Sequence, residues 1–368
     1  MKSAGPKAAV LVIALAAAGL GIAVVAARPG AQPAPGAAYC SAPGSQATSV
    51  ENFTVTGYLD PEDTSTSLQQ LIDSASKGGG AIVQLPAGTF TLGRPLILKS
   101  NVALKGAGAS TVLKAGPGFL DTKGPFGGHP LITTNGAQNV TIAQLTADQS
   151  GQELDGNASG RLSEYLIDVR HSSNALVEGV RTRNPFTYSI AVVASSNFCI
   201  RGNDTLVTSS GKYDQLDGIH ITDSSGGMVE GNTIDQRQGD DGDDGLVAQT
   251  IGAPVHDVTY RNNKVRGGSH GSGMQLAVGT HEIYNIIVDN NRFWGSPDGV
   301  KTGYYDGNAP VRDVAVKNNS FTDIPGPWLD FHGDLTNITV TDNITCQSGG
   351  LKLDDAPGNV VSNNRESC

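Results

Sequence analysis

The stretch QGDDGDDGLVAQT, Gln238 to Thr250, packs four carboxylates, Asp240, Asp241, Asp243 and Asp244, into five positions directly ahead of an apolar run. Like charges this close repel and raise one another's pKa, so the stretch is either a solvated acidic turn or a site that uses the repulsion. In a site, one crowded carboxyl stays protonated as an acid while a neighbour serves as a base. A Ca2+ ion, which takes about six to eight oxygens, is another occupant such a run can hold. Other candidates are Asp217 in QLDGIHI, His270 in GSHGSG and Lys301 in DGVKTG. WLDFHGD places Trp328, Asp330 and His332 at alternating positions, which would set an aromatic platform beside two polar groups on one strand face. Singly, each has a plain reading as a turn aspartate, a solvated histidine, a surface lysine or a core tryptophan.

These residues act together only if the fold gathers them, and an internal repeat offers the means. VTYRNNKV (Val258 to Val265), IIVDNNRF (Ile286 to Phe293) and VAVKNNSF (Val314 to Phe321) share one pattern, with shorter copies in FCIRGN, MVEGNTI, ITVTDN and VSNN. The last Asn of each copy falls at 203, 232, 263, 291, 319, 343 and 364, giving separations of 29, 31, 28, 28, 24 and 21 residues. Alternation at period two means a strand with one buried face, and units this short bury it only against their neighbours, so the chain winds as a solenoid. Stacked at a bend, the Asn residues are expected to hydrogen-bond up the ladder and to accept left-handed backbone angles. Counted back from its own Asn, Asp217 lies 15 residues away, Asp244 19, His270 21 and Lys301 18, which sets the four along one side of successive coils. Upstream, Leu68, Leu71 and Ile72 at helical spacing predict one short amphipathic helix ended by Gly78 to Gly80, placed to cap the first coil.

Composition agrees with many short strands: 48 glycines, 5% aromatic and 16% charged residues in 368. The net charge of −10 argues against a nucleic-acid partner. Residues 1–27 join a short basic start to an apolar run, read as a signal peptide cleaved near Val25 to Ala27 or as an uncleaved membrane anchor; residues 28–47 read as a Pro/Ala/Gly linker. An exported chain permits disulfides among Cys40, Cys199, Cys346 and Cys368; their spacing suits no metal site, and three pairings are open. The sequons at Asn139 and Asn337 are by-products of strand copies ending in Thr-Val or Thr-Ile.

The capping helix, the GGGAIVQLPAGTFTL segment, NVALKGAGASTVLKA and the Asn-marked coils resemble the pectin-lyase-like superfamily over residues 48–368. The resemblance implies an all-β fold, a right-handed parallel β-helix with a short N-terminal capping helix. In it Cys346 and Cys368 sit about one coil apart, where a disulfide would staple the C-terminal end. QLDGIHI, DDGLVA, GSHGSG and DGVKTG are similar in order to the Asn-Thr-Asp, Asp-Asp, Gly-His-Gly and Arg-Ile-Lys motifs of glycoside hydrolase family 28, the polygalacturonases. The resemblance implies Asp243 as acid, Asp217 and Asp244 holding and deprotonating a water, His270 tuning the acid, and Lys301 pairing with a substrate carboxylate. Gln215-Leu216 replace Asn-Thr, Ser269 replaces a Gly, and Gly299 stands where the family has Arg, which weighs against galacturonate in particular.

The expectation is thus an exported, monomeric enzyme that hydrolyses a polysaccharide with inversion and needs no cofactor. Its catalytic residues would be Asp217, Asp243, Asp244 and His270, with substrate held by Lys301, Trp328, Asp330 and His332. Two alternatives stay open: a lyase or uronate epimerase on the same fold, which would use Ca2+ or a Lys/Arg and a base, and a non-catalytic glycan-binding surface module.

Overall fold

Each Asn-marked segment forms a strand whose apolar residues turn inward. In Val255–Arg261, Val255, Val258 and Tyr260 are buried, and Ile283–Asp289, Val311–Lys317 and Leu335–Thr341 repeat that burial pattern. One left-handed residue interrupts the alternation near each strand's start: Asp257, Asn285, Asp313 or Asn337. The computed structural model describes residues 23–27, 52–56, 63–154, 164–207, 215–236 and 242–368. Asp240, Asp241, Cys40 and most of the predicted leader and linker lie outside these residues.

The strands stack into three long sheets, here called A, B and C, of 13, 11 and 10 strands. The chain visits them in turn. One coil runs from Val255–Arg261 in sheet A through Lys264–Arg266 in sheet B to Ser272–Val278 in sheet C, then returns to sheet A at Ile283–Asp289. Pairing between coils is parallel, so the architecture is a parallel β-helix. Its right-handed sense is the one parallel crossovers take. At the N-terminal edge Ala23–Ala27 pairs antiparallel with Asn52–Thr56, which pairs in parallel with Ala81–Gln84. Among the described residues no helix is long and apolar enough to cross a membrane.

The helix α1, Ser65–Lys77, covers the first coil as expected, burying Leu68, Leu71, Ile72 and Ala75 in the core. The Asp63 carboxylate starts it by accepting the Ser65 N–H at 2.8 Å. Gly80 leads out at φ 119°, where a Cβ would stand 2.6 Å from Asn101, so no other residue fits there.

At the bend between sheets A and B the predicted ladder is present. Asn203, Asn232, Asn263, Asn291, Asn319 and Asn343 are buried, and each Nδ2 donates to the Oδ1 of the next at 2.9–3.0 Å, ending on Asn364. Each Oδ1 also accepts the backbone N–H of the preceding ladder Asn, as Asn263 does from Asn232 at 2.9 Å. The left-handed angles fall on the residue before: Asn262, Asn290 and Asn318, or Gly202 and Gly231 in the shorter copies. The two jobs expected of the Asn pair are therefore divided between its members.

A disulfide joins Cys346 to Cys368 across the last coils, with Cα atoms 5.0 Å apart. Cys199 is also disulfide-bonded. Asn139 donates its amide to Asn101 and accepts from Asn174, and Asn337 donates to Asp313.

Candidate functional site

The site grows from four short copies of one local pattern on consecutive coils: Asp217-Gly218-Ile219-His220, Asp244-Gly245-Leu246-Val247, Ser272-Gly273-Met274-Gln275 and Asp298-Gly299-Val300-Lys301. The glycines are required because the coils touch there. A Cβ on Gly218, Gly245 or Gly273 would come within 2.4, 2.8 or 2.9 Å of the next coil's carbonyl oxygen. After each glycine the apolar residue turns into the core and the fourth residue faces out of sheet C. Register aligns these outward residues as His220, Val247, Gln275, Lys301, Asp330 and Lys352, one per coil, about 4.8 Å apart.

The turn carboxylates sit at the N-terminal edge of this face and bond along the stack. Asp217 Oδ1 accepts the Asp244 N–H at 3.0 Å, and Asp244 Oδ1 accepts the Ser272 N–H at 2.6 Å and its hydroxyl at 2.5 Å. Asp217 Oδ2 lies 2.6 Å from His220 Nδ1, and His220 Nε2 lies 2.9 Å from Gln249 Oε1. The imidazole is stacked on Tyr188 at 4.1 Å between ring centres, and Tyr188 on Tyr165 at 4.7 Å. Asp217, His220 and Asp244 are all buried.

Burial sets the protonation of this group. It drives the Asp217 carboxyl well above its usual range, assisted by the Asp244 charge and opposed by the Asp244 N–H. It drives His220 down to about 4, against the Gln249 bond and the Asp244 charge. Because Gln249 presents an oxygen, Nε2 carries hydrogen, so in neutral His220 Nδ1 is the acceptor and Asp217 holds the proton between them. The pair is a neutral dyad sharing one proton across a short bond. Asp244 is also raised by burial, held back by the Ser272 bonds, then by Lys301 and His220. Tyr188 is pushed well up by burial and the surrounding carboxylates, and Tyr305 to about 12 by burial first and the same charges second.

A groove of about 310 Å³ opens over these groups, near the lower end of the roughly 300–1,000 Å³ of ligand sites. Tyr188, His220, Asp243, Gln249, Gln275 and Tyr305 are among its walls. Asp217, Asp243 and Asp244 each bring an oxygen within 4.8 Å of the others, so the three predicted aspartates do meet. That spacing is short enough to share a cation. Yet Asp217 is engaged by His220 and the Asp244 N–H, and Asp244 by Ser272, so the set is not a ready-made cage for an ion wanting about six to eight oxygens.

The other predicted residues are placed differently. His270 lies exposed on the loop before Ser272, its N–H on the Gly242 carbonyl, and it is not among the groove walls. Lys301 stands on the outward row, 3.3 Å from Asp298, and its charge reaches Asp244. Asp330 follows on the row, 3.5 Å from Lys352 and 3.6 Å from the exposed His332. Trp328 does not share that face, which corrects the platform reading. It takes the position that is Gly299 on the preceding coil and turns its ring into the core against Phe321, 5.0 Å away. Sequence reasoning passed over His220, Gln249, Gln275, Tyr188 and Tyr305. The repeated Asp/Ser-Gly-apolar-x pattern was the signal that marks His220 and Gln275 as outward residues; nothing local marks the tyrosines.

Residues 47–301, more than half of the chain, match the family described as rhamnogalacturonase A/epimerase, pectate lyase-like. Among curated relatives, mannuronan C5-epimerase AlgE3 of Azotobacter vinelandii is 26% identical over 260 residues, 67% of this chain and 13% of the relative. Alginate lyase 7 of the same organism is 28% identical over 202 residues, 52% of this chain and 22% of the relative. The chain thus spans less than a quarter of the length of either relative. Among solved structures, the polygalacturonase from Erwinia carotovora aligns at TM-score 0.65 with 18% identity, covering 86% of this chain and 96% of that one. An exopolygalacturonase from Thermotoga maritima aligns at 0.56 with 18% identity, covering 83% and 86%. These structural likenesses concern the fold. On the strength of the family match, the chain belongs to the rhamnogalacturonase A/epimerase, pectate lyase-like family.

Proposed function

We propose that this protein is an exported enzyme that acts on an acidic polysaccharide by moving the proton beside a uronate carboxylate, giving C5 epimerisation or β-elimination. The observation that carries this reading is the buried Asp217–His220 dyad, whose imidazole lines the groove beneath Tyr188. The base is the dyad after it has given up its one proton to solvent: Asp217 is then a carboxylate that accepts the Nδ1–H, orients the ring and balances its charge, and His220 Nε2, released from Gln249 with its lone pair free, takes the C5 proton. The electron pair left on C5 delocalises into the uronate carboxylate. Tyr188, kept protonated by burial and by neighbouring charges, is the groove acid that returns a proton to C5 in epimerisation. In elimination the same pair forms the C4–C5 double bond as the C4–O bond breaks, and the leaving oxygen takes its proton from Tyr188. Relatives named as epimerases and a lyase support this direction.

Hydrolysis is the second reading, favoured by Asp217, Asp243 and Asp244 meeting in the polygalacturonase order. Two features rank it lower. Inversion leaves room for a water between carboxyls about 6.5–9.5 Å apart, whereas these oxygens lie within 4.8 Å of one another, and Asp217 is committed to His220. Product analysis on polymannuronate, polygalacturonate and a neutral polymer, with and without chelator, separates the readings. Ultraviolet-absorbing unsaturated ends, or a changed uronate composition at constant chain length, support proton chemistry. New reducing ends with neither would replace it by hydrolysis, and activity that disappears with chelator would add a divalent cation at the aspartates.

A further inference from the structure

Among the described residues four large apolar residues stand out as exposed: Ile251 and Tyr305, each at 60%, and Val360 and Val361, at 49% and 51% on the last coil. The first two lie at the groove. One exposed apolar residue alone needs no explanation, but two fixed at the mouth of one groove give it an apolar lip. These two are also held in place. Asp223 accepts the Ile251 N–H at 2.7 Å and the Gly252 N–H at 3.0 Å, while the Tyr305 hydroxyl donates to Gln275 Oε1 at 2.6 Å.

Their spacing is informative. Gln249 pairs with Ala277 and Val278 with Tyr304, so the same register carried forward aligns Ile251, Gly279 and Tyr305 on three successive coils. Ile251 and Tyr305 are then two strand spacings apart, about 10 Å between backbones. The floor between them is a residue without a side chain. Gly279 is fixed there, its N–H on Thr250 Oγ1 at 2.9 Å, and a Cβ would fall 2.2 Å from the Thr250 carbonyl oxygen.

We propose that Ile251, Gly279 and Tyr305 form a notch that seats one sugar ring of the polymer, with its apolar face on the Tyr305 ring, next to the unit at His220. This deepens, and rests on, the proposed action on a polysaccharide. The notch lies one to three coils beyond His220, so it holds a neighbouring unit and not the reacting one. Stacking on the sugar face does not depend on the uronate charge.

Calorimetric titration of oligomannuronate, oligogalacturonate and their carboxyl-reduced neutral counterparts tests the notch without requiring turnover. Tyr305→Ala is expected to weaken charged and neutral ligands alike by about tenfold, with melting temperature unchanged. Ile251→Ala should weaken both less, and Tyr305→Phe should stay within about threefold of wild type because the ring remains. Wild-type affinity in Tyr305→Ala, a loss in Tyr305→Phe as large as in Tyr305→Ala, or no binding of either ligand by the wild type would each overturn the notch. The outcomes for catalysis are separate: a Tyr305-dependent affinity with no product from any polymer leaves the notch and removes the proposed reaction, whereas turnover whose KM ignores Tyr305→Ala removes only the notch.

Discussion

Among the stacks of polar side chains in the described residues, one lies at the bend between sheets A and B and another, largely buried, at the entry to sheet C. The first is uniform: Asn follows Asn, and every amide donates and accepts within the stack. The second is mixed, Asp217, Asp244, Ser272 and Asp298 in turn, and three of its members are titratable. A neutral stack that satisfies itself has nothing left for a ligand and serves the fold. A charged stack cannot satisfy itself, so it draws in partners from outside the turn, here His220, Gln249 and Lys301, and those partners face a groove. The contrast separates a repeated polar position spent on the fold from one whose partners open on a groove.

The comparison is sharpest where one substitution should affect activity and not stability. Asp217→Asn keeps the shape and hydrogen bonds of a protonated carboxyl, its Oδ1 still accepting from Asp244 and its Nδ2 donating to His220 Nδ1. Turnover should fall roughly 10^3- to 10^4-fold while the melting temperature holds, measured by initial rates and calorimetry side by side. Asn263→Ala should do the reverse. It leaves the Val229 carbonyl and the Asn232 N–H buried without partners, so denaturant titration should show a loss of about 3 kcal/mol, with turnover retained below the melting transition.

The stacks should also part in their pH response. In the unfolded chain Asp217 is ionised above about pH 4 and His220 protonated below about pH 6.5. In the folded dyad Asp217 keeps its proton and His220 stays neutral down to about 4. Between those limits both states hold one proton, and the dyad's contribution is flat. Above about pH 6.5 the unfolded pair holds none while the folded pair still holds one, so stability falls as pH rises. Asp244, raised in the fold, adds a decline that begins near pH 4. Calorimetry against pH should show the alkaline decline shrink in the double variant Asp217→Asn, His220→Gln and persist unchanged in a ladder variant. The smallest effect is expected from Lys301→Met. Removing that cation raises Asp244 further, so the rate profile should shift toward higher pH with a loss of no more than a few-fold at its maximum.

The solenoid was legible because its signals are local and repeated: period-two burial, an Asn at each bend, and one amphipathic helix ahead of the first coil. The site was legible in part. Counting back from the ladder Asn found Asp217 and Asp244, but loops between sheets B and C vary in length, so the same count chose His270 where Ser272 holds the equivalent turn position. Alignment on the Asp/Ser-Gly step would have avoided this, and would have shown Trp328 standing at a glycine position whose side chain had to turn inward. Tyr188 and Tyr305 were out of reach because each meets its partners across coils: Tyr188 stacks on His220, 32 residues on, and Tyr305 bonds Gln275, 30 residues back.

The central claim, that the Asp217–His220 dyad moves a carbon-bound proton of a uronate, is tested most directly by solvent exchange. Polymannuronate and polygalacturonate would be incubated in deuterium oxide with wild-type protein or with His220→Gln, and the C5 position followed by proton NMR. Deuterium entering C5, or unsaturated ends whose C5 carries no hydrogen, with the wild type and neither with His220→Gln, is the predicted result. Chain cleavage by the wild type with C5 fully protonated in every product would contradict the claim and return the groove to the three aspartates as a hydrolase.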